Sequence, residues 1–256
     1  MAKENTENMK NNKILILLSM VFILSLIVLI ISVKNSLSIA ESKVPKAEAD
    51  IPDYTGESIL YLIRPFGKSV YNDLGIVDFK GMKVNLVTLR TKILFFEDTE
   101  RVYSDPESLL PYKLERTFSK LWIKLFITEE FDQKKFTITR KWFKGTKLVK
   151  EEIIKAKGPI QNPVMLPFSL RRFAAPKIGW NFTAELPDKF KFELVSIDEI
   201  TVPAGKFQAY HFKSIPDKIE IWINKNNPRV PLKVVGKGIF GCDLSMKQYS
   251  LHNNKK

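Results

Sequence analysis

The sequence predicts a mainly β protein in which an N-terminal transmembrane helix precedes a curved antiparallel sheet or open β-barrel with one short helix. Three observations support this prediction: an uncharged apolar stretch, period-two alternation of apolar side chains after it, and turn residues between the alternating runs. They divide the chain into a cytoplasmic N-terminus over 1–13, a transmembrane segment over 14–33, a linker over 34–53, a β-rich extracytoplasmic domain over 54–251 and a C-terminal tail over 252–256.

The first element is the apolar segment over 14–33. It contains no charged residue, and a helix of its 20 residues is about 30 Å long, which matches the hydrocarbon core of a bilayer. The segment is either a retained anchor or a long signal peptide, and we favour the anchor because the apolar stretch of a signal peptide is usually shorter. Lysines are equally frequent on both sides and do not orient the segment. We expect the long C-terminal part to lie in the periplasm or outside the cell, tethered to the cytoplasmic membrane.

The linker over 34–53 has few large apolar side chains and mixes both charges, which is typical of a tether. From about residue 54 apolar and polar residues alternate, as around Ile219, Ile221 and Ile223, and this pattern indicates half-buried strands. The sequence predicts antiparallel strands near 57–64, 69–79, 82–95, 110–119, 121–130, 134–143, 147–155, 189–202, 206–214, 218–224, 231–236 and 238–250, some of which merge.

Turn residues separate these strands. Pro203 and Gly205 occupy the second and fourth positions of a turn, as a type I turn prefers, and Gly67 and Gly145 mark further hairpin tips. Residues 147–156 can be read as helix or strand, and the Lys-Gly-Thr sequence before them favours a returning strand.

The short helix is predicted to start at Asn162-Pro163. Asn is a good capping residue, and Pro fits the first helical position because its missing N–H has no partner there in any case. Pro167 should keep this helix short or kink it.

Several strands carry large apolar side chains on both faces. Tyr210 and Phe212 oppose Phe207 and Ala209 along one predicted strand. A flat sheet with one solvated face would not need this pattern, whereas a curled sheet, a barrel or a sheet covered by a helix would. Sequence alone leaves open whether the interior is filled or hollow.

Enzymatic motifs are missing from the sequence. With one Cys and two His, the chain has no intramolecular disulfide and no Cys- or His-based metal centre. Cys242 could pair with His211 or His252 as a nucleophile, but a small buried apolar role fits this Cys better. Adjacent acids on a strand point to opposite faces, so the acidic pairs in the sequence do not predict a glycosidase site. We therefore expect no catalytic residue, cofactor or metal.

The charge is strongly basic. There are 41 Lys and Arg against 28 Asp and Glu, a net charge of +13, and residues 139–144 mix cations with aromatic side chains. An exported domain rarely meets nucleic acid, so we expect anionic phospholipid or lipopolysaccharide as partner and no nucleic acid. A solvated basic face explains the charge equally well.

Three stretches resemble the exported bacterial envelope proteins called domain of unknown function 3108. They are 105–116, which begins Asp105-Pro106 and continues through Pro111, 200–207 with Pro203 and Gly205, and 221–233 with Trp222 and Pro231. The resemblance covers about residues 55 to 250. It implies an open or spiral antiparallel β-barrel with a short helix, a shape similar to carriers that shuttle lipoproteins across the periplasm. It implies no catalytic residue, and a structural role for Asp105, Pro106, Pro111, Pro203, Gly205 and Pro231.

These observations predict a membrane-anchored, non-enzymatic domain that binds a lipid or another amphiphilic envelope component. Trp142, Phe207, Phe212 and Trp222 are the aromatic residues expected to line a ligand cavity or fill the core. One alternative is a protein-interaction module of an envelope complex with a filled barrel. A second is a hydrolase acting on cell-wall glycans, which would need two carboxylates facing one cleft.

Overall fold

The computed structural model describes residues 54–173, 176–186, 188–237 and 243–252. Within these ranges the chain forms fourteen strands and a single short helix, so the prediction of a mainly β fold is confirmed. The strands are β1 Glu57–Ile63, β2 Gly67–Phe79, β3 Met82–Ile93, β4 Phe96–Ser104, β5 Pro111–Lys120, β6 Ile123–Asp132, β7 Thr137–Lys144, β8 Lys147–Lys155, β9 Asn181–Leu186, β10 Asp188–Val202, β11 Gly205–Ile215, β12 Ile219–Asn224, β13 Pro231–Gly236 and β14 Asp243–Leu251, and the helix is α1 Leu166–Leu170.

All described strands belong to one antiparallel sheet. Their order is β8-β7-β6-β5-β4-β3-β2-β1-β14-β13-β12-β11-β10-β9, so strands consecutive in sequence pair with each other except β8 and β9, and β1 pairs with β14 inside the sheet. The pairing of β1 with β14 runs from Glu57 opposite Leu251 to Ile63 opposite Leu244, with a bulge after Leu60. The described sheet therefore has two edges, β8 and β9.

The sheet curls, because one hydrophobic cluster unites strands that are far apart in the sheet order. Val102 of β4, Ile138 of β7, Ala209 of β11 and Met246 of β14 all belong to this first cluster. A flat sheet of strands about 4.8 Å apart would hold the outer members of this set tens of ångströms from one another.

Helix α1 connects the first cluster to a second one. Phe168 belongs to the first cluster, whereas Leu166 and Leu170 pack in the second against Phe192 of β10 and Phe212 of β11. The helix therefore fills part of the concave side of the sheet, and the prediction of a single short helix is confirmed for the described residues.

The start of this helix differs from the prediction. Asn162 caps a turn that precedes the helix: its side chain accepts a hydrogen bond from the Val164 N–H, and its carbonyl accepts from Met165 and Leu166. The helix itself begins at Leu166, and Pro167 lies in its first turn. Proline is tolerated there because the first N–H groups of a helix have no intrahelical partner.

Two strands were missed and two turns were read as strand. Strand β4 presents Asp98 and Glu100 inward between Phe96 and Val102, so its inner row did not look apolar. The predicted strands near 82–95 and 121–130 ran through the turns that β3–β4 and β5–β6 make at 94–95 and 121–122. Strand β9 was the second missed strand, whereas the strand reading of 147–155 is confirmed by β8.

The predicted anchor over 14–33 and the linker over 34–53 lie outside the described residues, as do 238–242 and 253–256. Among the described residues, no helix has the length and apolar character needed to cross a bilayer. The anchor therefore stays a prediction.

Candidate functional site

Strands β4 to β8 present a mixed polar and aromatic surface on the concave side of the sheet, which we call the inner wall. Cross-strand pairing places its members on one face, since residues directly opposite one another in an antiparallel pair share a face. The wall comprises Phe96, Asp98, Glu100, Arg116, Phe118, Ile127, Glu129, Arg140, Trp142, Lys150 and Glu152.

The first charged group of the wall surrounds Arg116. Its Nε and Nη2 atoms donate to the Asp98 carboxylate at 2.8 Å and 2.5 Å, and Glu100 Oε1 lies 3.8 Å from Nε. Burial raises the pKa of Glu100 to about 8, against the opposing effect of Arg116. Burial therefore favours the protonated form of Glu100, which can donate a hydrogen bond.

The second charged group surrounds Arg140. Its Nε lies 2.5 Å from Glu129 Oε1 and its Nη1 lies 3.1 Å from Glu152 Oε1. The Trp142 ring lies close to two cations, with the Arg140 guanidinium 5.6 Å and the Lys150 ammonium 4.3 Å from its centroid. The predicted ligand aromatic Trp142 thus lies beside cations on the inner wall, which offers both apolar and charged contacts.

A buried ion pair joins β1 to the residue that follows α1. Arg171 Nη1 and Nη2 donate to Glu57 Oε1 and Oε2 at 2.7 Å and 2.8 Å, and both side chains are almost fully buried. The guanidinium also lies 3.5 Å from the Tyr54 ring centroid and 4.9 Å from that of Phe168. Burial lowers the pKa of Arg171, but the Glu57 carboxylate outweighs this effect and raises it above the usual value. This geometry suits a structural clamp more than a reactive site.

A third polar cluster surrounds His211 on β11. Its ring stacks on Trp222 at 4.1 Å, Nε2 lies 2.6 Å from Glu220 Oε2, and Nδ1 lies 3.3 Å from Ser196 Oγ. Burial lowers the pKa of His211, partly offset by Glu220. The combination resembles a Ser–His–acid triad, but the Ser196 hydroxyl donates its single proton to Asp198. His211 therefore does not receive the proton it would need to take from a nucleophile.

The hydrolase alternative also needs two free carboxylates facing one cleft. Glu100 has the protonation state of a general acid, but both oxygens of its neighbour Asp98 are bonded by Arg116. In the described part of the chain, no group of three or more His, Cys, Asp or Glu is arranged to hold a metal ion. Cys242 lies outside the described residues.

The four predicted aromatic residues do not meet in one place. Phe212 is 1% exposed in the second cluster, and Phe207 packs against the first cluster from the other face of β11. Trp222 stacks on His211, and Trp142 lies on the inner wall. The structure thus brings Phe207 and Trp222 to the first cluster, while Phe212 and Trp142 lie elsewhere.

The proline residues of the resembling stretches make contacts distant in sequence through their carbonyl groups. Arg172 Nη1 donates to the Pro106 carbonyl at 3.0 Å, and Gln133 Nε2 donates to that of Pro111 at 3.0 Å. Tyr61 donates its hydroxyl to the Pro231 carbonyl at 2.9 Å.

The other resembling residues shape turns. Asp105 Oδ1 accepts from the Ser108 N–H at 2.7 Å and closes the β4–β5 loop. Pro203 and Ala204 form the β10–β11 turn before Gly205, and the Ala204 N–H donates to the Met246 carbonyl at 3.1 Å.

Sequence reasoning missed the charged residues of the concave side. The alternation of strand residues could have revealed them, because every second side chain faces the same side. Glu57 continues the inward row of Ile59 and Tyr61, and Asp98 and Glu100 are two residues apart on one face. Only directly adjacent acids were considered, and these do point to opposite faces.

Comparisons with known proteins found structural likenesses but no sequence family. No model of a known protein family and no curated protein matches the chain. A solved structure of a β-barrel-like protein of the domain of unknown function DUF1849 from Brucella abortus has 11% sequence identity and a TM-score of 0.47, over 77% of this chain and 98% of that one. Membership of the family domain of unknown function 3108 stays a resemblance.

Proposed function

We propose that the chain is a membrane-anchored, non-enzymatic extracytoplasmic protein whose β-domain binds a lipid or another amphiphilic component of the envelope. The observation that carries this proposal is the inner wall, where Phe96, Phe118 and Trp142 share one surface with Arg116 and Arg140. An amphiphile needs both kinds of contact, an apolar one for its chain and a charged one for its headgroup.

The protonation of the wall favours an anionic headgroup. Burial raises the pKa of Glu100 and so favours its neutral form beside the Asp98–Arg116 pair. A protonated Glu100 can donate a hydrogen bond to a phosphate, whereas an ionised Glu100 would repel it. The β7–β8 hairpin offers an entrance, since β8 is an edge strand with mostly exposed side chains.

Native mass spectrometry of the full chain, extracted in a mild detergent, tests this proposal. We expect a co-purifying lipid in the wild type, strong depletion of that lipid in Trp142→Leu, and retention in Trp222→Leu, a matched change away from the inner wall. Unfolding midpoints of both variants show whether either change disrupts the fold. A wild-type protein that always appears at its bare mass would overturn the proposal.

A protein-interaction module is the second candidate, and one feature favours it. Leu148, Val149 and Ile153 of edge strand β8 are 44%, 52% and 65% exposed, and an unpaired edge can accept a partner strand. Crosslinking in membranes through a photoreactive residue at position 149 would then trap one dominant protein, whereas the lipid-binding proposal predicts no such product.

A further inference from the structure

The hairpin tips at one end of the sheet expose large apolar side chains. The β1–β2, β3–β4, β5–β6 and β7–β8 turns lie at the same end, because alternate turns of an antiparallel meander do so. They are neighbours in space: the Leu121 N–H donates to the Phe95 carbonyl at 3.4 Å. We call the five side chains the tip row: Phe66, Leu94, Phe95, Leu121 and Trp122, which are 66%, 67%, 75%, 60% and 89% exposed.

Local turn stability does not explain these residues. Leu94 and Leu121 have φ angles of 47° and 51°, a region that two-residue hairpin turns normally fill with Gly, Asn or Asp. The β2–β3 turn at the opposite end of the sheet has Lys80, with a φ of 54°, at the same position and Gly81 after it, so the two ends differ in that the tips place an apolar side chain there. Leucine at the tips therefore costs backbone strain, and its exposed side chain gains no burial inside the domain.

Cations surround the tip row. Exposed basic residues lie within three positions of the four turns at this end: Arg64, Lys68, Lys92, Lys124, Lys144 and Lys147. The acid nearest to the β3–β4 turn, Glu97, is already bonded by Arg90. The end of the sheet that exposes these aromatic and aliphatic residues is thus also positively charged.

We propose that the tip row inserts into the interfacial region of an anionic lipid bilayer, with the surrounding lysines on lipid phosphates. Protein elements that anchor at a membrane surface typically combine Trp, Phe and Leu with neighbouring Lys and Arg. A tight protein interface would bury a broader patch of about 800 Å² per partner, whereas the tip row consists of narrow turns. The inference concerns the outside of the domain and does not depend on an interior ligand.

Tryptophan quenching by lipid tests the insertion with the full chain. The chain has four Trp residues and none lies in the apolar segment over 14–33, so its fluorescence reports the β-domain alone. The protein is reconstituted into phosphatidylcholine vesicles with and without phosphatidylglycerol. The lipids of both kinds of vesicle carry bromine on their acyl chains near the headgroup. We expect quenching with phosphatidylglycerol, and a fall to about a third or less in Trp122→Phe, because Trp122 is the Trp residue in the tip row.

A variant that keeps the reporter separates membrane contact from folding. Leu94→Asn, Phe95→Gly and Leu121→Asn together remove three apolar tip residues, retain Trp122 and supply favourable turn residues. We expect quenching to fall at least about twofold while the thermal midpoint stays equal or rises. The matched control is Leu74→Asn with Ile76→Thr, two residues that are 52% and 54% exposed on β2, and it should quench like the wild type.

Charge is tested by Lys92→Glu with Lys124→Glu, which should reduce quenching on phosphatidylglycerol vesicles. Equal quenching of this variant and the wild type on those vesicles overturns the anionic-lipid inference. Equal quenching of the wild type and Trp122→Phe would also overturn the inference. A Trp122 that lipid does not quench but that is shielded from acrylamide would show a protein contact at the tips and overturn the inference as well.

Discussion

Glu57 and Arg171 are 114 residues apart in the chain and form a bidentate ion pair with two hydrogen bonds at the start of β1. Both groups have lost their hydration, so their attraction mainly offsets the cost of removing two charges from water. The pair therefore fixes where α1 docks, and its net contribution to stability depends on keeping both partners.

Arg171→Met tests this clamp at the residue scale. The change leaves the Glu57 carboxylate buried without its partner, so we expect the free energy of unfolding to fall by about 3–5 kcal/mol. Urea unfolding of the full chain in mild detergent, followed by tryptophan fluorescence, measures the loss.

Two further variants control this prediction. Glu57→Gln combined with Arg171→Met should lose less than Arg171→Met alone, because no unpaired charge remains. Lys206→Met removes an exposed pair, in which Lys206 Nζ lies 3.6 Å from Glu199 Oε1, and should leave stability unchanged within error. A loss below about 1 kcal/mol in Arg171→Met would contradict the clamp.

At the scale of elements, the junction of β1 and β14 depends on Gly56. This residue has a φ of +84°, donates its N–H to the Asp73 carbonyl at 2.9 Å and accepts the His252 N–H at 3.0 Å. A Cβ at this position would collide with the His252 carbonyl. Glycine is therefore needed for two separate reasons, backbone conformation and space.

Comparing Gly56→Ala with Gly81→Ala separates these reasons. Gly81 has a similar φ of +80°, but a Cβ there would meet no atom within 4 Å. We expect Gly81→Ala to cost about 1 kcal/mol from backbone strain and Gly56→Ala to cost at least about 1 kcal/mol more from the collision. Thermal or urea unfolding measures both, and equal losses would show that the close approach is unimportant.

At the scale of the whole molecule, Gln133 connects the two halves of the curled sheet. Its Nε2 donates to the Pro111 and Ile160 carbonyls at 3.0 Å and 2.9 Å, and its Oε1 accepts the Ile160 N–H at 2.9 Å. Ile160 bridges in parallel to Glu185 of β9, the far edge strand. The segment after β8 thus pairs with edge strand β9 through its backbone, and the Gln133 side chain holds that segment to β5.

Gln133→Leu should loosen this link. Three hydrogen bonds are lost and the Ile160 N–H and C=O are left unsatisfied, so we expect a loss of about 2–3 kcal/mol and faster amide exchange over residues 157–165. Hydrogen exchange with mass spectrometry measures this. Gln208→Leu, the same change at an exposed position of β11, should leave exchange in that segment unaltered. Unchanged exchange in Gln133→Leu would refute the role of this residue.

Much of the fold follows from local patterns. Alternation identified twelve of the fourteen described strands, because a repeat of two residues directly reflects which side chains face the core. It failed at β4, where Asp98 and Glu100 occupy inward positions that only Arg116 of the neighbouring strand makes tolerable. It also failed at Leu94 and Leu121, where apolar residues form turns that normally take Gly or Asn.

Strand periodicity, turn residues and the single short helix are properties of neighbouring residues, and reading the chain alone was enough to find them. The strand order, the two open edges and the clusters that Phe207 and Phe212 join required the folded molecule. So did the inner wall, the Glu57–Arg171 pair and the tip row, because each unites residues from strands or turns that are distant in sequence. The curl of the sheet decides those meetings, and no short window of sequence contains it.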